Sequence, residues 1–312
     1  MKNILITGYS GFVGQHLLND INHLHKIKLL GRSKDKNNHD CYTANIDSNS
    51  DYSNALKNVD IVIHMAARVH VMNDDSIDPL GEFRAVNTAG TINLAKQAAD
   101  AGVKRFIFIS SIKVNGESTS NTSPFQSSDV PKPEDPYGIS KSEAEEQLIE
   151  LGRERGLEIV IIRPPLVYGE GVKANFASLF KFVGKRIPLP FRAITNNKRS
   201  LVSVYNLVDL IKVCVDHPNA ANQIFLVSDD KDISTSEMVA LMAKVQGFPN
   251  YSLPLPVWCF HLIGKLLSKK DVIDRLVGSL QVDITHTKNT LNWTPPFSIE
   301  EGFAKCIERR DV

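Results

Sequence analysis

Tyr137 and Lys141 stand four residues apart in Tyr137-Gly-Ile-Ser-Lys141, a spacing that puts a phenol and an ammonium on one face of a helix. An ammonium beside a phenol favours phenolate, which would suit Tyr137 as a general acid/base for a hydroxyl becoming a carbonyl. Tyr137 is the only tyrosine in the chain with a lysine at i+4. Upstream, the apolar run Phe106-Ile-Phe-Ile ends in Ser110-Ser111, so Ser111 would lie at the C-terminal end of a strand, where open α/β sheets bind ligands. Alone, a serine after a strand is more often a turn cap, and a Tyr/Lys pair at this spacing arises often by chance. The three together point to proton transfer at a substrate oxygen.

A second constellation is Thr7-Gly8-Tyr9-Ser10-Gly11-Phe12-Val13-Gly14, lying between an apolar run and a helix-spaced segment. Glycines there let the backbone turn tightly and approach a pyrophosphate held by free N–H groups at a helix N-terminus. The G-x-x-G-x-x-G spacing is one residue wider than the usual dinucleotide fingerprint. At the end of the second strand, where an acid would accept from a ribose 2′-hydroxyl, the chain has Leu30-Gly31-Arg32-Ser33. Arg32 and Ser33 suit a 2′-phosphate, with Asp35 as an alternative reach to the ribose. The expectation is NAD(P), with NADP(H) favoured over NAD(H).

The elements that must carry these groups read as alternating strands and helices. Short apolar runs at Asn3–Thr7, Ile27–Leu30, Ile61–His64, Phe106–Ser110 and Glu158–Ile162 are separated by helical stretches at Phe12–Ile21, Phe83–Ala101 and Tyr137–Arg155. This predicts an α/β fold, a doubly wound parallel sheet with helices on both faces. Past Arg163-Pro-Pro165 the pattern loosens, although Gln223–Val227 reads as one more strand. The expected division is a dinucleotide-binding domain over 1–165, completed by about 203–228, and a smaller, mainly helical substrate lobe from 166–202 and 229–312. Ser234-x-x-Glu237 and Ser298-x-x-Glu301 read as capping boxes, and the polar stretch Ser118–Ser128 as a surface loop or a mobile flap.

Composition narrows the rest. With 36 Lys plus Arg against 35 Asp plus Glu in 312 residues, bulk charge attracts neither nucleic acid nor lipid. The four cysteines are scattered, no signal peptide or membrane span fits, and cytoplasm is the expected compartment. The histidines, His64 and His70 among them, show no metal-ligand spacing, and Ser10 misses a hydrolase elbow by one residue. The apolar segment Pro254–Leu280 is expected to be buried as core of the second lobe, the alternative being a membrane-docking surface.

Gly8-x-x-Gly11-x-x-Gly14, Ser111 and Tyr137-x-x-x-Lys141 together resemble the extended short-chain dehydrogenase/reductase family over essentially the whole chain. His64-Met-Ala-Ala67, Asn87-Thr-Ala-Gly-Thr91 and Arg163-Pro-Pro-Leu-Val-Tyr-Gly169 add to the match. The resemblance implies hydride exchange between a nicotinamide and a sugar or alcohol carbon, with Tyr137 as acid/base, Lys141 on the nicotinamide ribose and Ser111 on the substrate oxygen. It further implies that Ser10, Phe12 and Val13 join the glycines around the pyrophosphate. Asn45 and Ile46 would border the adenine, Ala66 and Ala67 line the groove, Asn87 help shape the nicotinamide side, and Pro164 also bind the cofactor. Within the family the chain is most similar to nucleotide-sugar enzymes of the UDP-glucose 4-epimerase type. Asn175, Phe176, Arg199 and Arg275 would then hold a UDP-sugar, and a homodimer is implied. Ser110–Glu117 looks closest to enzymes that reduce a UDP-4-keto-6-deoxy-N-acetylhexosamine for surface polysaccharide. Asn115, where epimerases commonly carry a tyrosine, and Gly31 also favour a reductase; a 4-epimerase with retained NAD is the alternative. A dinucleotide-sensing regulator is a third reading, against which the intact Ser111, Tyr137 and Lys141 speak.

Overall fold

The computed structural model describes residues 1–33, 39–69, 77–172, 174–267 and 270–307, without the side chains of Ala174, Asn175 and Asp271. The expectations placed on Asp35 and His70, and on the Asn175 side chain, fall outside the described residues.

Among the described residues nine strands form in chain order: β1 (Asn3–Thr7), β2 (Lys26–Gly31), β3 (Asp40–Thr43), β4 (Ile61–His64), β5 (Arg105–Ile109), β6 (Glu158–Arg163), β7 (Leu166–Tyr168), β8 (Leu201–Ser203) and β9 (Gln223–Leu226). Seven build one sheet in the order β3-β2-β1-β4-β5-β6-β9, every pairing parallel, while β7 and β8 pair separately. Strands buried on both faces need apolar residues at consecutive positions. Ile4, Ile6, Ile63 and Ile107 accordingly pack on one side with Leu17 and Leu210, and Leu5, Val62, Phe106 and Phe108 on the other with Leu94 and Leu148. The expected doubly wound parallel sheet is present.

Strand order reverses between β1 and β4, which opens a crevice at their C-terminal ends. Thr7 sits in register with His64 there, so the glycine loop after β1 faces the Met65–Ala67 segment after β4. The second lobe has its own core, in which Tyr168, Phe176, Phe180 and Phe303 pack with Ile233 and Met242. Both capping boxes form, Ser234 with Glu237 and Ser298 with Glu301.

Two features differ from expectation, and for a third, the Ser118–Ser128 stretch, the structure favours the surface loop over the mobile flap. Residues 280–293, placed by sequence in the substrate lobe, return to the sheet: Leu280, Val282, Ile284, Leu291 and Trp293 join the core on the face shared by Ile4 and Ile63, with contacts at the β9 edge. Thr287 Oγ1 donates to the Leu226 carbonyl at 2.6 Å and Trp293 Nε1 to Asp209 at 2.9 Å. The Ser118–Ser128 stretch is laced to that returning segment, Thr119 N donating to Ser279 O and Phe125 N to Gln281 O, both at 2.9 Å. It is a tied surface loop. Lastly, the Val257–Leu266 helix buries only Phe260 and Gly264 and leaves Trp258, Leu262, Ile263 and Leu266 in solvent, contrary to the expected burial. Among the described residues no helix is long and apolar enough to cross a membrane.

Candidate active site

The glycine loop turns at Gly8, whose φ of +72° is left-handed, and Gly11 N donates to Gly8 O at 3.0 Å. A Cβ on Gly8 would lie 2.5 Å from Ala66 N, and one on Gly14 would lie 2.2 Å from Gly8 O. Side chains are thus excluded where the loop, the next helix and the β4 end meet. The Phe12–Ile21 helix has Gly11 at its N-cap with no side-chain cap, so first-turn N–H groups remain for an anion. Ser10 and Gly11 are exposed, whereas Phe12 and Val13 are half-buried. This backbone cradle fits the pyrophosphate of a dinucleotide.

At the adenosine end, Gly31 leaves room for the Tyr9 ring, since a Cβ there would stand 2.8 Å from the ring edge. Tyr9 Oη donates to the Ser33 carbonyl and lies 3.5 Å from Cys41 Sγ. Arg32 and Ser33 are both exposed. The missing acid is therefore linked to the bulky residue at the second position of the glycine loop, a partner that sequence reading did not connect with it. Asn45 and Ile46 lie on a turn held by the buried Tyr52, whose hydroxyl donates to Asn45 O at 2.9 Å. Gly90 allows the helix side to reach this turn, because a Cβ there would come 2.8 Å from Ile46 C.

Ala66 and Ala67 are half-buried at the crevice, and Ala66 N donates to Thr7 Oγ1 at 3.2 Å. Asn87 sits in a π-helical stretch, Arg84–Gly90, a geometry frequent at functional sites. Its amide donates to Arg68 O at 3.0 Å and to Ser140 Oγ at 3.1 Å, so it fixes the loop after β4 against the helix bearing Tyr137 and Lys141. His64 is a core residue: Nδ1 lies 2.6 Å from Thr7 Oγ1, Nε2 lies 2.9 Å from Thr91 Oγ1, and burial pushes it down to about 3. It stays neutral.

Ser111 caps the short turn Ile112–Val114, its Oγ accepting from Lys113 N at 3.3 Å. Tyr137 opens the Pro136–Arg155 helix behind Asp135, which caps it by accepting from Gly138 N at 2.7 Å. Two contacts bring the Ser111 turn to this helix start. Lys113 Nζ pairs with Asp135, and Gly138 approaches so closely that a Cβ on it would be 2.9 Å from Lys113 O. Pro164 is buried next to them, its carbonyl accepting from Ile112 N at 3.0 Å.

Lys141 is 1% exposed; its Nζ donates to Ile109 O at 2.9 Å and stands 4.3 Å from the centre of the Phe108 ring. Burial pushes it down to about 7, against the raising influence of Glu145. The Tyr137 phenol is pushed up to about 12, by burial first and the Asp135 carboxylate second. This corrects the expectation of a phenol lowered by Lys141: burial and Asp135 outweigh the ammonium.

Beneath these groups lies a buried polar chain. Arg163 Nε donates to both Glu145 oxygens at 3.0 Å, Ser110 Oγ donates to Glu145, and Arg163 Nη1 donates to Asn115 Oδ1 at 2.9 Å. Asn115 Nδ2 continues to Gln126 O at 2.8 Å. Asn115 is 2% exposed and wholly engaged in this chain. Lys113, Asp135, Glu145 and Ser140 went unnoticed in the sequence, although Asp135-Pro136 is a legible helix start.

Of the residues expected to hold a UDP-sugar, Arg199 and Arg275 come together: Arg199 Nη1 donates to the Arg275 carbonyl at 2.8 Å, and burial with the neighbouring Arg275 charge lowers the Arg199 pKa. Among the described residues neither has a carboxylate within salt-bridge distance, an arrangement that suits an added anion. Phe176 is 5% exposed and its ring stacks on Tyr168 at 5.4 Å, so its side chain serves the lobe's core.

The family model described as NAD dependent epimerase/dehydratase family matches residues 4–228. The chain is 55% identical to a UDP-glucose 4-epimerase of Vibrio cholerae, over 98% of this chain and 95% of that protein. In fold it is similar to the crystal structure of UDP-N-acetylglucosamine 4-epimerase from Bacillus cereus, with a TM-score of 0.81 at 20% identity, covering 100% of this chain and 98% of that one. It is also similar to MoeE5 in complex with UDP-glucose and NAD, with a TM-score of 0.78 at 21% identity, covering 98% and 97% respectively.

Proposed function

Because the chain belongs to the NAD dependent epimerase/dehydratase family, we propose that it is a UDP-sugar 4-epimerase that keeps NAD bound through turnover. The observation that carries this reading is its near full-length similarity to the Vibrio cholerae epimerase, joined to an intact Ser111, Tyr137 and Lys141 at the crevice.

The relatives favour this over the 4-keto reductase that the sequence had put first. Both departures behind the reductase reading have structural uses: Asn115 bridges Arg163 and Gln126, and Gly31 accommodates Tyr9. The leaning to NADP(H) likewise gives way to NAD, the cofactor named with the UDP-glucose complex of similar fold.

When bound, NAD supplies a reversible hydride acceptor and a cationic ring that favours phenolate. The glycine loop and the uncapped Phe12–Ile21 helix would hold its pyrophosphate, with Ala66, Ala67 and Asn87 shaping the groove. Tyr137 takes the proton of the sugar 4-hydroxyl and returns one to the alcohol of opposite configuration. Ser111 hydrogen-bonds that oxygen, and Lys141 holds the ribose. Arg199 and Arg275 face the diphosphate, whose charge would offset their mutual repulsion.

The test is to denature the purified protein, identify any released cofactor, and assay the native enzyme on UDP-glucose and UDP-N-acetylglucosamine without added cofactor. Retained NAD and interconversion of 4-epimers are expected. Cofactor-free protein that consumes NAD(P)H only with a UDP-4-keto sugar would establish the reductase instead.

A further inference from the structure

We propose that the outward face of the second lobe is a peripheral docking surface for an anionic lipid bilayer. Trp258, Leu262 and Leu266, spaced four apart along the Val257–Leu266 helix, are 66%, 51% and 74% exposed. Ile263 and Leu267 widen that face. The helix is anchored from behind by Phe260, whose ring centre lies 6.0 Å from that of Phe191. Beside it, Leu253 N donates to Leu189 O at 2.8 Å and Arg192 N to Leu253 O at 3.1 Å, which adds the exposed Ile187, Tyr251 and Leu253 to the same region. An apolar surface of this extent marks an interaction site.

Charge decides the occupant. The chain as a whole is balanced, yet residues 171–208 and 238–270 contain no aspartate or glutamate. Lys181, Lys185, Arg186, Arg192, Lys265 and Lys270 are exposed in those segments. A second copy presenting the same face would bring like charges together. An anionic bilayer is attracted by the basic residues while its interface receives the tryptophan and leucines, as for interfacial amphipathic helices. Arg275 lies on the Lys270–Val277 helix immediately after this face, so docking would link the lipid surface to the diphosphate end of the cleft.

The test is flotation of the full chain with vesicles of phosphatidylcholine alone and with one-third phosphatidylglycerol, read together with tryptophan emission. Trp293 is 5% exposed, so a blue shift on binding reports Trp258. Flotation only with the anionic vesicles is expected, weakened by salt and lost at least about tenfold in the Trp258→Ser, Leu262→Ser, Leu266→Ser triple variant. Lys265→Glu with Lys270→Glu should weaken it without altering the apolar face. Activity on soluble UDP-sugar should be unchanged in these variants, and binding is measured without turnover, so the epimerase reading and this one can fail separately. Absence of flotation with anionic vesicles, or equal flotation by the triple variant, would overturn the proposal. A triple variant that turns a dimer into a monomer, from a parent that binds no vesicles, would overturn it in favour of a second copy.

Discussion

Lys113, two residues past Ser111, pairs through its ammonium with Asp135, two residues before Tyr137, and the same ammonium contacts Glu117 at 2.8 Å. One side chain thus spans the two turns that carry Ser111 and Tyr137, the residues proposed to bond the substrate oxygen and to move its proton. Asp135 is a positioning residue with a second effect, because its charge also raises the Tyr137 pKa.

Asp135→Asn keeps a good N-cap and removes that charge. The Tyr137 pKa should fall, so the limb of the pH–rate profile that reports its deprotonation should move to lower pH. Asp135→Ala should in addition lose about 1 kcal/mol of stability from the missing cap. A profile unmoved in Asp135→Asn would mean that Asp135 does not act on the phenol.

Tyr137→Phe should reduce kcat by about 10²-fold or more while leaving cofactor content and thermal stability near those of the parent. Single-turnover reduction of bound cofactor by UDP-glucose separates the chemical step from binding. A variant turning over at nearly the parental rate would remove Tyr137 from the mechanism.

Lys141 gives a pH signature of stability. Its folded pKa of about 7 lies below the unfolded value of 10.5, so between these pH values the unfolded chain holds more protons and stability rises with pH. The cost of burying the charge is full below about pH 7 and fades toward pH 10.5. Lys141→Met should therefore be relatively most stabilised near pH 6, with its advantage shrinking across that window, while its catalysis is lost. Melting temperatures of both proteins across pH, without cofactor, check this; a constant difference would contradict it.

Glu145 and Arg163 are 3% and 2% exposed and form a buried ion pair. Removing one partner leaves the other charge uncompensated, so Glu145→Ala should cost about 3–5 kcal/mol in urea unfolding. Asn115→Leu, which removes a neutral partner of Arg163, should cost less.

Gly14→Ala would place a methyl 2.2 Å from the Gly8 carbonyl oxygen. The loop must shift to admit it, and the variant should purify without NAD. Absorbance at 260 nm relative to 280 nm, with enzymatic assay of the supernatant after denaturation, reads this directly.

Much of this was legible locally. The β1 run, the glycines and the Phe12–Ile21 periodicity are short-range signals, and the strand, the turn at Gly8 and the helix form where they indicate. The family resemblance then joined Ser111, Tyr137 and Lys141 across the chain. The strands β7 and β8 escaped because three residues carry too little pattern, and β3 because it is an edge strand with both ends exposed and no continuous apolar run.

What only the tertiary structure decided depends on neighbours remote in sequence. The i+4 spacing put Lys141 on the face of Tyr137, but β5 supplied the Ile109 carbonyl and Phe108 ring that hold the amine, and burial set both pKa values. Apolar composition likewise could not say which surface is covered: Phe176 went into the lobe's core, while Trp258 and Leu266 stayed in solvent. Periodicity records that a residue is apolar, whereas burial and charge coupling are sums over whatever the whole chain brings within a few ångströms.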